Sequence, residues 1–92
     1  MKLYEAVLAV ECHALCRYNE SVYYAYGINY THRLFGKPTV SIELHDCKAV
    51  SVIYAPLAAV EVARWRLPDE DLKAALARYQ AIFKDEFIQG EQ

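Results

Sequence analysis

The clearest pattern of hydrophobic and polar positions lies between residues 21 and 32, where side chains alternate with a period of two. One face of this segment carries Val22, Tyr24, Tyr26, Ile28 and Tyr30, and the other carries Tyr23, Ala25, Gly27, Asn29 and Thr31. Successive side chains of a β-strand point to opposite faces, so the alternation predicts a strand. Because the first face also holds valine and isoleucine, we expect Tyr24 and Tyr26 in the core and Tyr23 on the more exposed face.

Three further segments have strand patterns, at residues 39–45, 48–55 and 60–66. In the first of them, the side chains expected to point inward are those of Val40, Ile42 and Leu44. Asp46-Cys47 is a connection short enough for a hairpin, and a short helix beginning at Pro56 is the alternative to the last strand. Short connections predict an antiparallel sheet, because parallel neighbours need crossovers of about a dozen residues or more.

The last part of the chain has the pattern of an amphipathic helix. Pro68 and the acidic residues 69–71 are typical of a helix start, because carboxylates are favoured at the positive end of the helix dipole. One apolar stripe forms at about 100° per residue. Its members are Leu72, Leu76, Tyr79 and Phe83. This stripe predicts that the helix packs on the sheet.

Residues 2–18 fit two structures. As a strand, they line one face with Tyr4, Ala6, Leu8, Val10 and Cys12. As a helix, they form a stripe of Leu3, Val7, Val10 and Ala14. The charged Glu11 lies close to that apolar stripe, which argues against the helix. The content of alanine, leucine and glutamate argues for it. We predict a strand over the first ten residues, with the helix as the alternative.

Together these elements predict a single α+β domain over residues 1–92, an antiparallel sheet of four to five strands with a C-terminal amphipathic helix packed on one face. No apolar run approaches the roughly 20 residues that cross a bilayer, which predicts a soluble protein without a membrane partner. The cysteine count of three is odd, which fits a reducing cytoplasm better than a disulfide-bonded secreted scaffold.

The sequence lacks the motifs that identify most enzyme active sites. It contains no glycine-rich phosphate loop, nucleophile elbow or HExxH motif, and only three glycines in total. His45 and Asp46 are neighbours, but on a strand their side chains point apart. The sequence therefore predicts a protein that is not an enzyme and has no cofactor.

The segment CHALC, residues 12–16, is the first candidate for chemistry. Cys12 and Cys16 would supply two zinc ligands, with His45 or Cys47 completing the set, because thiolate and imidazole suit zinc. The second pair lacks the spacing of structural zinc sites. In a helix Cys12 and Cys16 would lie one turn apart on one face, which suits two ligands, whereas in an extended segment they lie about 13 Å apart. Cysteine also packs as a small hydrophobic residue. We therefore predict no metal site.

Tyrosines form the second candidate site, an aromatic contact surface or cavity. Its members are Tyr23, Tyr24, Tyr26, Tyr30 and Tyr79. Tyrosine combines a large contact area with a hydroxyl group, which suits a flat ligand or the side chains of a partner, although an ordinary core role is the alternative. A cavity between sheet and helix lined by Tyr24, Tyr26 and Tyr79 would make the protein a small-ligand-binding domain.

A basic patch is the third candidate, formed by Arg33, Lys37, Arg64 and Arg66. Arginine pairs with phosphate and Trp65 would stack on bases, as in proteins that bind RNA or single-stranded DNA. However, strand alternation puts Trp65 on the face opposite Arg64 and Arg66. No nucleic-acid-binding motif accompanies the patch, and the net charge is −2. Nucleic acid is therefore the second alternative, after a small ligand.

The back of the C-terminal helix is the fourth candidate. Small and apolar side chains lie opposite the inner stripe, namely Ala74, Ala77, Ala81 and Ile88. They would let a partner helix approach closely, although alanine is also the best helix former at exposed positions. Aromatic surface and a two-faced helix without catalytic motifs predict a small non-enzymatic interaction module, either a homodimer or a binder and modulator of a larger protein.

Overall fold

The computed structural model of the chain describes residues 1–31, 39–48 and 51–83. Along the chain these residues form α1 (Leu3–Cys12), β1 (Leu15–Tyr18), β2 (Ser21–Thr31), β3 (Thr39–Asp46), β4 (Val52–Pro56), the 3₁₀ turn η1 (Leu57–Ala59), β5 (Glu61–Arg64) and α2 (Asp69–Ile82). Within these ranges, no helix is long and apolar enough to cross a membrane.

The five strands form one sheet in the order β4-β3-β2-β1-β5, and every neighbouring pair is antiparallel. The turn η1 carries the chain from β4 at one edge to β5 at the other. The predicted α+β fold, with an antiparallel sheet of four to five strands and a C-terminal helix on one face, is therefore confirmed. The helix α2 packs mainly against α1 on that face, and Phe83 after it reaches the core. In β3, the three side chains expected to point inward are all buried, namely Val40, Ile42 and Leu44.

The prediction of a strand over the first ten residues is wrong, because these residues form α1. The Glu5 carboxylate accepts a hydrogen bond from the backbone N–H of Lys2 at 2.7 Å, which satisfies one free donor at the helix start. The helix ends at Cys12, and the left-handed backbone of the next residue, His13 (φ 51°), reverses the chain into β1. Both sides of α1 are covered, by the sheet and by α2, so apolar residues surround the helix and obscure its period.

The core lies between α1 and the sheet. Four fully buried alanines line this contact, namely Ala6, Ala9, Ala14 and Ala25. Small side chains let a helix backbone approach a sheet closely, because little volume separates the two layers. Ile42 and Leu44 of β3 are also fully buried and fill the centre of the same cluster.

A bulge in β2 interrupts the alternation that the sequence shows. Ala25 pairs with Leu44 and Gly27 pairs with Glu43, so Tyr26 is the extra residue. Directly paired residues share a face of the sheet. Ala25 therefore lies on the α1 side with Leu44, and Ile28 lies there too, although the period-two pattern assigns these residues to opposite faces.

The tyrosines of β2 consequently differ from their predicted positions. Tyr23 pairs with the buried Cys16 and packs against the core. Tyr24 pairs with His45 on the other side of the sheet, away from α1. The physical reason is that α1 lies close to the sheet here, so only a small side chain such as that of Ala25 fits beneath the helix. The larger side chains of Tyr24 and Tyr26 therefore lie on the other side of the sheet.

The connection between β5 and α2 determines the position of the C-terminal helix. β5 ends at Arg64, two residues before the predicted end of the strand, and the chain bends through residues 65–67. The predicted helix start at Pro68 is confirmed, with three acidic residues in the first turn of α2. α2 lies alongside α1, none of its residues is fully buried, and Phe83 beyond its end packs against the core.

Candidate functional site

The open face of the sheet, which is the side opposite α1, carries the candidate functional site. Among the described residues, neither helix covers it, and four of its large side chains are exposed. Val22, Tyr26, Val52 and Tyr54 are the large exposed residues on it. Isolated exposed apolar residues are ordinary, but a group on one sheet face is typical of a contact surface.

A row of ring side chains crosses the open face at the bulge. The ring of Tyr26 lies between His45, at a centroid distance of 4.0 Å, and His13, at 4.5 Å, with both pairs edge-on. The Nε2 atom of His45 is 2.5 Å from a carboxylate oxygen of Glu43, and Nδ1 of His13 is 2.9 Å from the backbone carbonyl of Ala25. The contact with Glu43 fixes the orientation of the His45 ring beside Tyr26.

Gly27 makes room for that carboxylate. A Cβ atom at Gly27 would lie 3.3 Å from the Oε1 atom of Glu43, closer than ordinary van der Waals contact. The absence of a side chain at this position therefore lets Glu43 lie across β2 toward His45. Sequence reasoning did not connect Glu43 with His45, although their spacing of two residues on a strand puts both on one face.

The arginine-aromatic groove, as we name it, opens where β5 leads into the bent connection. It has a volume of about 480 Å³ and is lined by Leu15, Tyr24, Arg64, Trp65, Arg66 and Leu67. The guanidinium carbon of Arg66 is 5.6 Å from the centre of the Tyr24 ring, within the range of a cation-π contact. The structure thus brings Trp65 together with both arginines, because the strand ends before Trp65. Arg33 and Lys37 of the predicted patch lie outside the described residues.

The two edges of the sheet differ in chemistry. β4 forms one edge and has the sequence VIYAP, with no charged residue. β5 forms the other edge and has four residues, of which Glu61 and Arg64 are charged and exposed. Charged side chains and short length protect a sheet edge from pairing with another strand. Pro56 removes one backbone donor at the end of β4, but by its lack of charge β4 is the less protected of the two outer edges.

The tyrosines predicted to line one cavity lie apart. Tyr24 and Tyr26 are on the open face beside His45. Tyr79 of α2 contacts Phe83, and its hydroxyl donates a hydrogen bond to the carboxylate of Glu11 in α1. Tyr30, near the end of β2, is exposed and pairs with Val40. The structure therefore brings Tyr24 to the arginine-aromatic groove instead of to Tyr79.

The predicted back face of α2 is exposed where the structure describes it. Ala74, Ala77 and Ala81 are accessible, and Ala74 also lines a groove of about 340 Å³ between α2 and α1. Ile88 lies outside the described residues. The proposal that this face binds a partner stays a prediction.

The cysteines occupy three different environments. Cys12 is half-buried at the end of α1, Cys16 is buried in β1, and Cys47 is exposed after β3. Burial raises the pKa of the Cys16 thiol to about 11, with a further contribution from Cys12 nearby. Over residues 1–31, 39–48 and 51–83, no three His, Cys, Asp or Glu side chains are grouped as metal ligands would be.

Alkylation by iodoacetamide should therefore follow the order of exposure. At neutral pH we expect Cys47 to react first and Cys16 last, because the thiolate is the nucleophile and Cys16 is both buried and protonated. Mass spectrometry of proteolytic fragments over time measures the order. In guanidinium chloride all three cysteines should react at similar rates. Equal rates for Cys16 and Cys47 in native buffer would contradict the structure.

No family model matches this chain, and comparisons with curated proteins and with solved structures also found no match.

Proposed function

We propose that this protein is a non-enzymatic interaction module that forms a homodimer by pairing β4 with β4 of a second copy. One observation carries the proposal: the outer edge strand without charged residues also presents large apolar side chains. Val52 is 52% exposed and Tyr54 is 58% exposed, and both lie on the open face of this strand. Among the described residues no strand pairs with the outer side of β4, so this edge offers backbone donors and acceptors together with apolar surface.

A second copy is the occupant that the geometry favours. When a strand pairs antiparallel with its own copy, a two-fold axis relates the two strands. Each backbone donor at the edge then meets an acceptor on the identical strand. The strand has no charge, so like charges do not oppose each other across the axis. On the open face, Tyr54 and Val52 of both copies would then form one continuous apolar surface.

We expect a dimer of moderate affinity. A strand of five residues is short, and pairing it with its copy buries less surface than the roughly 1,200–2,000 Å² of stable protein interfaces. A dissociation constant on the order of micromolar is therefore expected.

The cytoplasmic location predicted from the odd number of cysteines belongs to the same proposal, because all three are free thiols that a reducing compartment maintains.

Replacement of Tyr54 by lysine should convert the dimer to a monomer. The substitution Tyr54→Lys puts two like charges close to the two-fold axis and removes exposed aromatic area, while the side chain is already 58% exposed in the monomer and its fold should survive. Sedimentation velocity between about 1 and 100 µM brackets the expected micromolar constant. Circular dichroism verifies that the variant is folded.

The matched control is Ala77→Glu, which adds a charge to the exposed back face of α2. We expect this variant to dimerise as the wild type does. A wild-type protein that is monomeric at every concentration would overturn the homodimer. A monomeric Ala77→Glu variant beside a dimeric Tyr54→Lys variant would overturn the assignment to β4 and identify α2 as the interface.

A further inference from the structure

The arginine-aromatic groove carries two positive charges that no carboxylate of the described residues balances. Within the described part of the chain, neither Arg64 nor Arg66 has a carboxylate partner. On the neighbouring strand β1, by contrast, Arg17 forms an ion pair with Glu61 at 3.0 Å. Two arginines without a counter-charge at one groove favour an anionic ligand, since the planar guanidinium group binds phosphate with two parallel hydrogen bonds.

The same groove contains the surfaces that bind a flat ring. Tyr24 and Trp65 are both on its lining, and Leu15 and Leu67 add apolar walls. Aromatic side chains stack on the faces of nucleic-acid bases, and arginine beside a ring strengthens such stacking. The volume of about 480 Å³ falls within the roughly 300–1,000 Å³ of small-molecule sites.

We propose that the arginine-aromatic groove is a nucleotide-binding site. Arg64 and Arg66 bind the phosphate, and the base stacks on Tyr24 or Trp65. The ligand is a nucleotide, either free or as a unit of a single-stranded nucleic acid, since both present the same base and phosphate. This site is separate from the β4 edge, and its proposal does not depend on the homodimer.

Trp65 makes the proposal directly measurable, because it is the only tryptophan in the chain. Its fluorescence reports binding at this groove when it is excited at the red edge of its absorption, where nucleotides absorb little. We expect adenosine monophosphate to change the fluorescence saturably at low salt. Inorganic phosphate alone and adenosine alone should each bind at least about tenfold more weakly, because each makes only part of the contacts.

Arginine variants test the phosphate contacts. The double variant Arg64→Gln/Arg66→Gln should bind adenosine monophosphate at least about tenfold more weakly than the wild type, since charge-assisted hydrogen bonds to phosphate are lost. Arg17→Gln is the matched control, because it removes an arginine that lies outside the lining and is paired with Glu61. It should bind as the wild type does. Isothermal titration calorimetry verifies each constant.

A single-stranded oligonucleotide distinguishes the two sources of the ligand. Much tighter binding of the oligonucleotide than of the mononucleotide, with affinity that falls steeply with salt, identifies a nucleic-acid chain as the ligand. Similar affinity identifies the free nucleotide. The absence of saturable binding by either ligand at low salt overturns the proposal. Equal losses in the Arg17→Gln control and the double variant also overturn it.

Discussion

Replacement of Ile42 by alanine should lower the free energy of unfolding by about 3 kcal/mol. Ile42 is 0% exposed in the middle of β3, where it pairs with Ile28 on one side and Ala55 on the other. The shorter side chain loses buried methyl groups and leaves a cavity that the paired strands cannot close. Urea denaturation followed by circular dichroism measures the change, and the melting temperature should fall by more than about 10 °C.

Ile82→Ala provides a matched control for this prediction. Ile82 is 61% exposed at the end of α2, so the same deletion there removes little buried area. Its effect should be within about 0.5 kcal/mol. Equal destabilisation by the two substitutions would contradict the position of the core between α1 and the sheet.

Replacement of Ala9 by leucine should lower the free energy of unfolding by about 1–3 kcal/mol. Ala9 is fully buried in α1 and belongs to the same core cluster as Ala25 of β2. The larger side chain must push the helix away from the sheet or adopt a strained rotamer, because small residues on both sides leave no space. Denaturation by urea, with the wild type in parallel, gives the difference.

Ala77→Leu separates this packing effect from helix propensity. Ala77 lies in α2 and is exposed, and alanine and leucine are both strong helix formers. We expect a change within about 0.5 kcal/mol for this variant. If leucine is tolerated equally at both positions, α1 does not lie as close to the sheet as the structure indicates.

Local chemistry explains which parts of the fold could be predicted. In β3, hydrophobic and polar residues alternate regularly because one face of the strand is buried along its length. The residues on that buried face are Val40, Ile42 and Leu44. The start of α2 has its own signal in Pro68 and the acids that follow. In contrast, α1 is covered on two sides, so its helical period is obscured and alternation suggested a strand.

The sequence indicated individual residues of the candidate site, but it did not indicate which of them lie together. Arg64 and Arg66 stand out in the sequence as a basic pair, and Tyr24 stands out as part of an aromatic strand. Trp65 lines the same groove as these residues because β5 ends at Arg64 and the chain bends after it. The row formed by Glu43, His45, Tyr26 and His13 depends on the bulge and on the turn after α1.

The sequence by itself determined the elements with a single buried face, the antiparallel connections and the class of the fold. These follow from periodicity and connection length, which are local properties of the chain. Only the tertiary structure decided which face of β2 meets the core. That choice depends on how closely α1 approaches the sheet, and the fully buried Ala9 and Ala25 allow the close approach that leaves Tyr24 and Tyr26 on the open face.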